Sequence, residues 1–148
     1  IHNCAVELGP WLIAGSRLWT VPEAPPLLGG ELGDEPPKTD YVERELRRLR
    51  MSIDDANARE KKASRELTRV VAVHFPPLYS NALETGFSKV VEAWRPAVCV
   101  YGHLHGPGIP AGFTGPHAGV RYVLASCDAA GFAPVLLLEA PGPGSPRG

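Results

Sequence analysis

A mixed α/β fold is the class this sequence predicts, and three observations predict it. Val70-Val71-Ala72-Val73 and Val98-Cys99-Val100-Tyr101 are short, largely β-branched apolar runs of the buried-strand kind. Between them Phe87, Val90, Val91 and Trp94 recur at three- and four-residue steps, the spacing of one helix face. Strand, helix, strand at this length is a βαβ unit, so the two strands are expected to run parallel with their ends on one edge. Each ends in imidazole: His74 follows the first, His103 and His105 the second. Strand ends of α/β sheets are where loops assemble sites, so convergence of these three histidines is expected.

The other elements follow in order. Ala5 to Leu8 and Trp11 to Ala14 flank Gly9-Pro10, turn chemistry that predicts a hairpin. Thr20 to Pro37 is dense in proline, glycine and acids and reads as a long surface loop. Thr39 or Asp40 then caps a helix whose apolar positions are Val42, Leu46, Leu49, Ile53 and Ala56, with Glu43 and Arg47 on the wet side and a continuation expected towards Leu67. Phe75-Pro76-Pro77 enforces an extended exit from the His74 strand. A loop around Ser80-Asn81 leads into the helix from about Thr85 to Trp94, which stops before Pro96. Val120 to Ala125 and Pro134 to Glu139 read as two more strands joined through Ser126 to Gly131, and the Pro/Gly/Ser tail from Pro141 as disordered.

Composition narrows the function. With 148 residues, 44% of them hydrophobic, one domain with a real core is expected. A net charge of −1, with basic residues interleaved with acids, gives no nucleic-acid patch. The apolar run Phe132 to Leu138 is interrupted by Pro134 and is too short to span a bilayer, so no membrane partner is expected. Cys4, Cys99 and Cys127 form no C-x-x-C pair, and an odd count without a secretory leader points to reduced thiols in a cytoplasmic setting. The chain enters strand-like text directly at Ile1, which reads as an N-terminal truncation.

Among single residues, Cys99 and Tyr101 read as core, and His2 and His117 as surface positions. Arg17 and Asn81 read by default as solvated loop residues, with a phosphate contact as the alternative, for Arg17 because a guanidinium offers bidentate donors. Asp128, in Ser126-Cys127-Asp128, reads as a turn former, with a carboxylate that reaches a metal as the alternative. The arginines from Arg44 to Arg50 read as a salt-bridged wet face. No G-x-S-x-G elbow or Cys-His-Asn order is visible, which argues against a serine or cysteine hydrolase.

Together, Ala14-Gly15-Ser16-Arg17-Leu18-Trp19, the charged helix, His74-Phe75-Pro76-Pro77, Tyr101-Gly102-His103-Leu104-His105-Gly106 and Ser126-Cys127-Asp128 resemble the C-terminal part of the calcineurin-like metallophosphoesterases. More narrowly they resemble the bacterial serine/threonine phosphatase-like phosphohydrolase group, up to about Leu138. The resemblance implies part of a four-layer sandwich of two mixed β-sheets flanked by helices, over residues 1–140, with 141–148 a disordered tail. It implies a phosphatase or phosphodiesterase that uses a hydroxide bound by two divalent metal ions, manganese, iron, zinc or nickel. His74 and His103 (of the GHxH motif) would bind one ion and His105 the other.

The family's earlier blocks, D-x-H, G-D and G-N-H-D/E, should precede this region, and all three read as missing from it. The resemblance therefore implies half a site, inactive alone, that needs the N-terminal half of the domain and a phosphorylated substrate. Two rival expectations are a non-catalytic remnant or regulatory module keeping the histidines as a structural metal clip, and one half of a split enzyme.

Overall fold

In the computed structural model, residues 1–25 and 39–140 are described. Most of the expected loop from Thr20 to Pro37, and the whole tail from Pro141, lie outside them. The chain builds a six-stranded mixed sheet from β1 (Val6–Leu8), β2 (Trp11–Ala14), β3 (Thr68–Ala72), β4 (Val98–Tyr101), β5 (Gly115–His117) and β6 (Val120–Leu124), in the spatial order β1-β2-β3-β4-β6-β5. The four central strands are parallel, and β1 and β5 pair antiparallel at the two edges. This is the α/β class the sequence predicts, with the βαβ unit in place: β3 and β4 are parallel neighbours joined by α2 (Gly86–Trp94).

α1 (Thr39–Lys62) carries Asp40 in its first turn and Arg59, Lys61 and Lys62 in its last, matching the helix dipole at both ends. It buries Leu49, Ile53 and Ala56, with Val42 and Leu46 packed beside them. The helix stops short of Leu67 because the apolar spacing lapses over Lys61-Lys62-Ala63-Ser64-Arg65-Glu66. Leu67 is buried all the same, at the entry to β3, while Arg65 bonds the Glu7 carboxylate and the Gly9 carbonyl in the hairpin. α2 starts at a capping box: Thr85 Oγ1 accepts from Ser88 N at 3.0 Å, and Ser88 Oγ accepts from Thr85 N at 3.0 Å. It ends on Arg95 in the left-handed region, ahead of Pro96.

The register explains which face is covered. Ala14, Val71, Cys99 and Tyr122 stand in one row across β2, β3, β4 and β6, and all belong to the core packed with α1 and α2. Ile13, Val70 and Val98 alternate to the other face. That second apolar face meets the segment expected to be a strand, Pro134 to Glu139, which forms none. Pro134 has no N–H to give to a ladder, and the segment does not extend the sheet beyond β1 or β5. The segment instead lies beside Trp11, Ile13 and Val70 around a cavity of about 240 Å³, held where Arg121 donates to the Leu137 carbonyl. Leu136 stays exposed.

Gly15, just past β2, is required by contact rather than by φ. A Cβ there would lie 1.8 Å from the Ala72 carbonyl oxygen. Its N–H donates to Ser52 Oγ at 2.9 Å, and the same hydroxyl donates to the Cys4 carbonyl at 2.6 Å, so a buried serine of α1 ties two chain segments together. No helix among the described residues is long and apolar enough to cross a membrane.

Candidate functional site

The ladder of parallel strands continues past its last formal pairs as single hydrogen bonds, and those bonds position the histidines. Phe75 N donates to Arg17 O at 2.9 Å, Val73 N to Val100 O at 3.0 Å, and Gly102 N to His74 O at 3.1 Å. Arg17, His74 and Gly102 are thus stitched side by side at one edge of the sheet. With Ser16, Ala72, Tyr101 and the exposed His2 they line an open cleft of about 490 Å³.

The turn after β4 falls on a residue the sequence does not advertise. Gly102, the glycine of this stretch nearest the strand, has no positive φ; His103 does, at 70°, and Gly106 at 47°. Leu104 N donates to Gly102 O at 2.8 Å, closing a three-residue turn with His103 at its centre. A left-handed histidine costs roughly 1–2 kcal/mol, so the surrounding packing must hold it. Leu104, 1% exposed, supplies that anchor in the core. The His103 ring also lies against Phe75, with centroids 4.0 Å apart.

The result is a close imidazole pair: His103 Nδ1 and His74 Nε2 are 3.3 Å apart, with the rings edge to face. Two nitrogens each about 2.1 Å from a shared cation would be separated by about 3.0–3.4 Å, the edge of an octahedron or tetrahedron. The pair therefore already has the spacing of two ligands on one ion. Burial, then the positive charges of Arg17 and His105, hold the His74 imidazole below its ordinary pKa of 6.5 and favour the neutral ring that ligates metals.

His105 is directed elsewhere. Its Nδ1 lies 2.9 Å from Asp128 Oδ1 and 3.9 Å from Cys127 Sγ, and these three ligand atoms all fall within 4.8 Å of one another. Asp128 sits in the expected turn, but its carboxylate does more than shape it. Oδ2 accepts from Gly106 N at 2.7 Å and Oδ1 from Ala129 N at 3.0 Å. The Gly106 N–H is the main cause holding this carboxyl below its usual range. From the sequence Asp128 reads first as a turn former, with a carboxylate reaching a metal as the alternative, and Cys127 was missed as a companion of His105.

Arg17 stacks on Trp19, its guanidinium carbon 4.4 Å from the ring centroid, and its Nη2 lies 4.0 Å from Glu45 Oε1. Glu45 corrects the wet-face reading of α1: its side chain is fully buried, with Arg48 at 2.7 Å and Arg44 at 3.7 Å. Asn81 sits exposed on the tight turn between Tyr79 and Ala82 and does not line the cleft of His74. His117 is not a loop residue but part of β5, half-buried, with Nε2 3.7 Å from Glu92. Cys99 and Tyr101 are core as expected, and Tyr101 donates to the Phe113 carbonyl at 2.6 Å. One Gly-Asp pair, Gly33-Asp34, does occur, in a stretch outside the described residues.

No protein-family model, curated protein or solved structure matches this chain. Any functional reading therefore rests on the site itself.

Proposed function

We propose that this chain supplies half of a dinuclear metal site in a phosphoric-ester hydrolase of the calcineurin-like metallophosphoesterase type. The observation that carries the proposal is the imidazole pair at the ends of two adjacent parallel strands, His74 Nε2 and His103 Nδ1, 3.3 Å apart. Two divalent cations at such a site supply Lewis acidity and an activated water, and stabilise the entering and leaving oxygens of an in-line phosphoryl displacement. His74 and His103 hold one cation and His105 the other. The burial and charge that depress His74 keep its lone pair available. Arg17, at the rim of the same cleft, offers donors to phosphate oxygens, and Glu45 and Trp19 fix where they point.

These residues bring imidazoles but no bridging carboxylate at the pair, so the reading requires a further segment that carries the D-x-H and G-N-H blocks. The exposed apolar side chains of Val135 and Leu136, on the segment that lies beside the second face of the sheet, support a further layer there. The two-sheet sandwich is part of this proposal.

The test is hydrolysis of an aryl phosphate by the chain joined to the sequence encoded upstream of Ile1, with manganese, iron or nickel added and then removed by chelation. Activity that requires the cation, and falls at least a hundredfold in His103→Ala and His105→Ala, is expected. A fully active His105→Ala variant, or activity indifferent to chelation, contradicts the reading.

A further inference from the structure

We infer that His105, Cys127 and Asp128 form a binding site of their own for one borderline-soft divalent cation, of which zinc is the cellular example. The inference uses neither His74 nor His103 and does not rest on the hydrolase reading. The resemblance that suggests a hydrolase gives no ligand role to Cys127 or Asp128.

Three unlike donors converge here: an imidazole nitrogen, a thiol sulfur and a carboxylate oxygen, all within 4.8 Å of one another. A tetrahedral zinc ion with Zn–S near 2.3 Å and Zn–N near 2.0 Å separates its nitrogen and sulfur ligands by about 3.5 Å, and its nitrogen and oxygen ligands by about 3.3 Å. The observed separations are 3.9 Å for His105 Nδ1 to Cys127 Sγ and 2.9 Å for His105 Nδ1 to Asp128 Oδ1. Loading thus requires adjustments of a few tenths of an ångström for these two pairs and a larger closing of the sulfur on the carboxylate, which lie within 4.8 Å of each other, all within reach of side-chain rotation. In the metal-free chain a proton bridges the ring and the carboxylate; a cation takes its place.

The frame is built before any ion arrives. Residues 126–131 form a closed turn in which Ala130 N donates to Ser126 O at 2.9 Å, Gly131 N to Asp128 O at 3.0 Å, and Phe132 N to Cys127 O at 2.7 Å. On the other side Gly108 N donates to His105 O at 2.8 Å, opening the 3₁₀ turn Gly106–Ala111. The Gly106 N–H clamps Asp128 Oδ2, linking the two loops and leaving Oδ1 towards the ring. Such outer contacts orient ligands and sharpen affinity. His105 and Cys127 are exposed, so an ion has a way in, and three protein ligands leave a coordination position open. A thiolate in the set selects zinc-like and softer ions over magnesium, calcium or manganese.

The experiment is a cobalt(II) titration of the reduced chain, cobalt standing in for zinc, followed by absorbance. A near-ultraviolet thiolate-to-cobalt band that saturates with a single ion and is displaced by zinc but not by magnesium is expected. Cys127→Ser and His105→Ala should lose the band, and Asp128→Ala should weaken binding at least tenfold. Cys4→Ser and His74→Ala should retain it, and circular dichroism confirms that each variant is folded. No band in the parent chain, or a band that survives Cys127→Ser, overturns the inference. Loss of the band in His74→Ala also overturns it, because the ion would then belong to the histidine pair.

Discussion

Replacing Gly15 by alanine should be among the most damaging single-methyl additions to this fold. The added Cβ would sit 1.8 Å from the Ala72 carbonyl oxygen and 2.8 Å from its carbonyl carbon. A carbon–oxygen contact needs a little over 3 Å, so the ends of β2 and β3 must part by more than 1 Å, and both contacting atoms are backbone. That displacement acts on the Gly15 N–H bond to Ser52 and on the Phe75–Arg17 bond beyond it. Overpacking costs about 1–3 kcal/mol, occasionally more, and a lost hydrogen bond at a buried group adds about 1 kcal/mol. The sum, about 2–4 kcal/mol, lowers Tm by roughly 4–16 °C for a domain of this size. Urea or thermal unfolding followed by circular dichroism measures it. Gly102→Ala is the control: no atom lies within 4 Å of its added Cβ, so its stability should stay within about 0.5 kcal/mol of the parent. An unshifted Tm in Gly15→Ala, or equal losses in both variants, would refute the argument from backbone contact.

Two further predictions concern charge. Glu45→Ala leaves Arg48, Arg44 and Arg17 without the buried carboxylate they surround. Because the arginines remain a third or more exposed, solvent compensates in part, and a destabilisation of about 1–3 kcal/mol is expected in urea unfolding. His74 should titrate below 6.5 when its ring protons are followed by NMR, and Arg17→Gln should raise its midpoint by removing one positive neighbour. The sign for stability follows: the unfolded chain binds the proton more readily, so His74 costs nothing above 6.5, and stability declines as pH falls from there through the folded midpoint. A midpoint at or above 6.5 would contradict the burial and charge assigned to this ring.

Much of the fold was legible because it is local. The βαβ unit declared itself through two continuous apolar runs and the period-3.6 pattern between them, and Pro96 marked the end of its helix. The hairpin was fixed by Gly9-Pro10. What failed was what depends on distant parts of the chain. Pro134 to Glu139 has the composition of a strand, but no local pattern reveals that it lies against the second face of the sheet. Likewise Glu45 reads as one of many charges on a wet helix, and only packing shows that its carboxylate is buried beneath three arginines.

The site was legible in its imidazoles and illegible in their partners. His74 and His103 come together because parallel pairing of β3 and β4 aligns their ends, which the sequence implies. The left-handed backbone at His103, one residue beyond Gly102, emerges only from the anchoring of Leu104. Asp128 and Cys127 reach His105 across the sheet edge through a turn whose position depends on β6 lying beside β4. No spacing rule connects residues so placed.

The most direct test of the histidine pair is a crystal of the chain soaked in nickel(II) and measured at the nickel absorption edge. Nickel suits a site made of imidazoles. An anomalous peak within about 2.0–2.2 Å of both His74 Nε2 and His103 Nδ1, absent from His74→Ala crystals, is the predicted result. Nickel found only at His105, or nowhere near the ends of β3 and β4, would contradict the claim that these two imidazoles are the ligands of one ion.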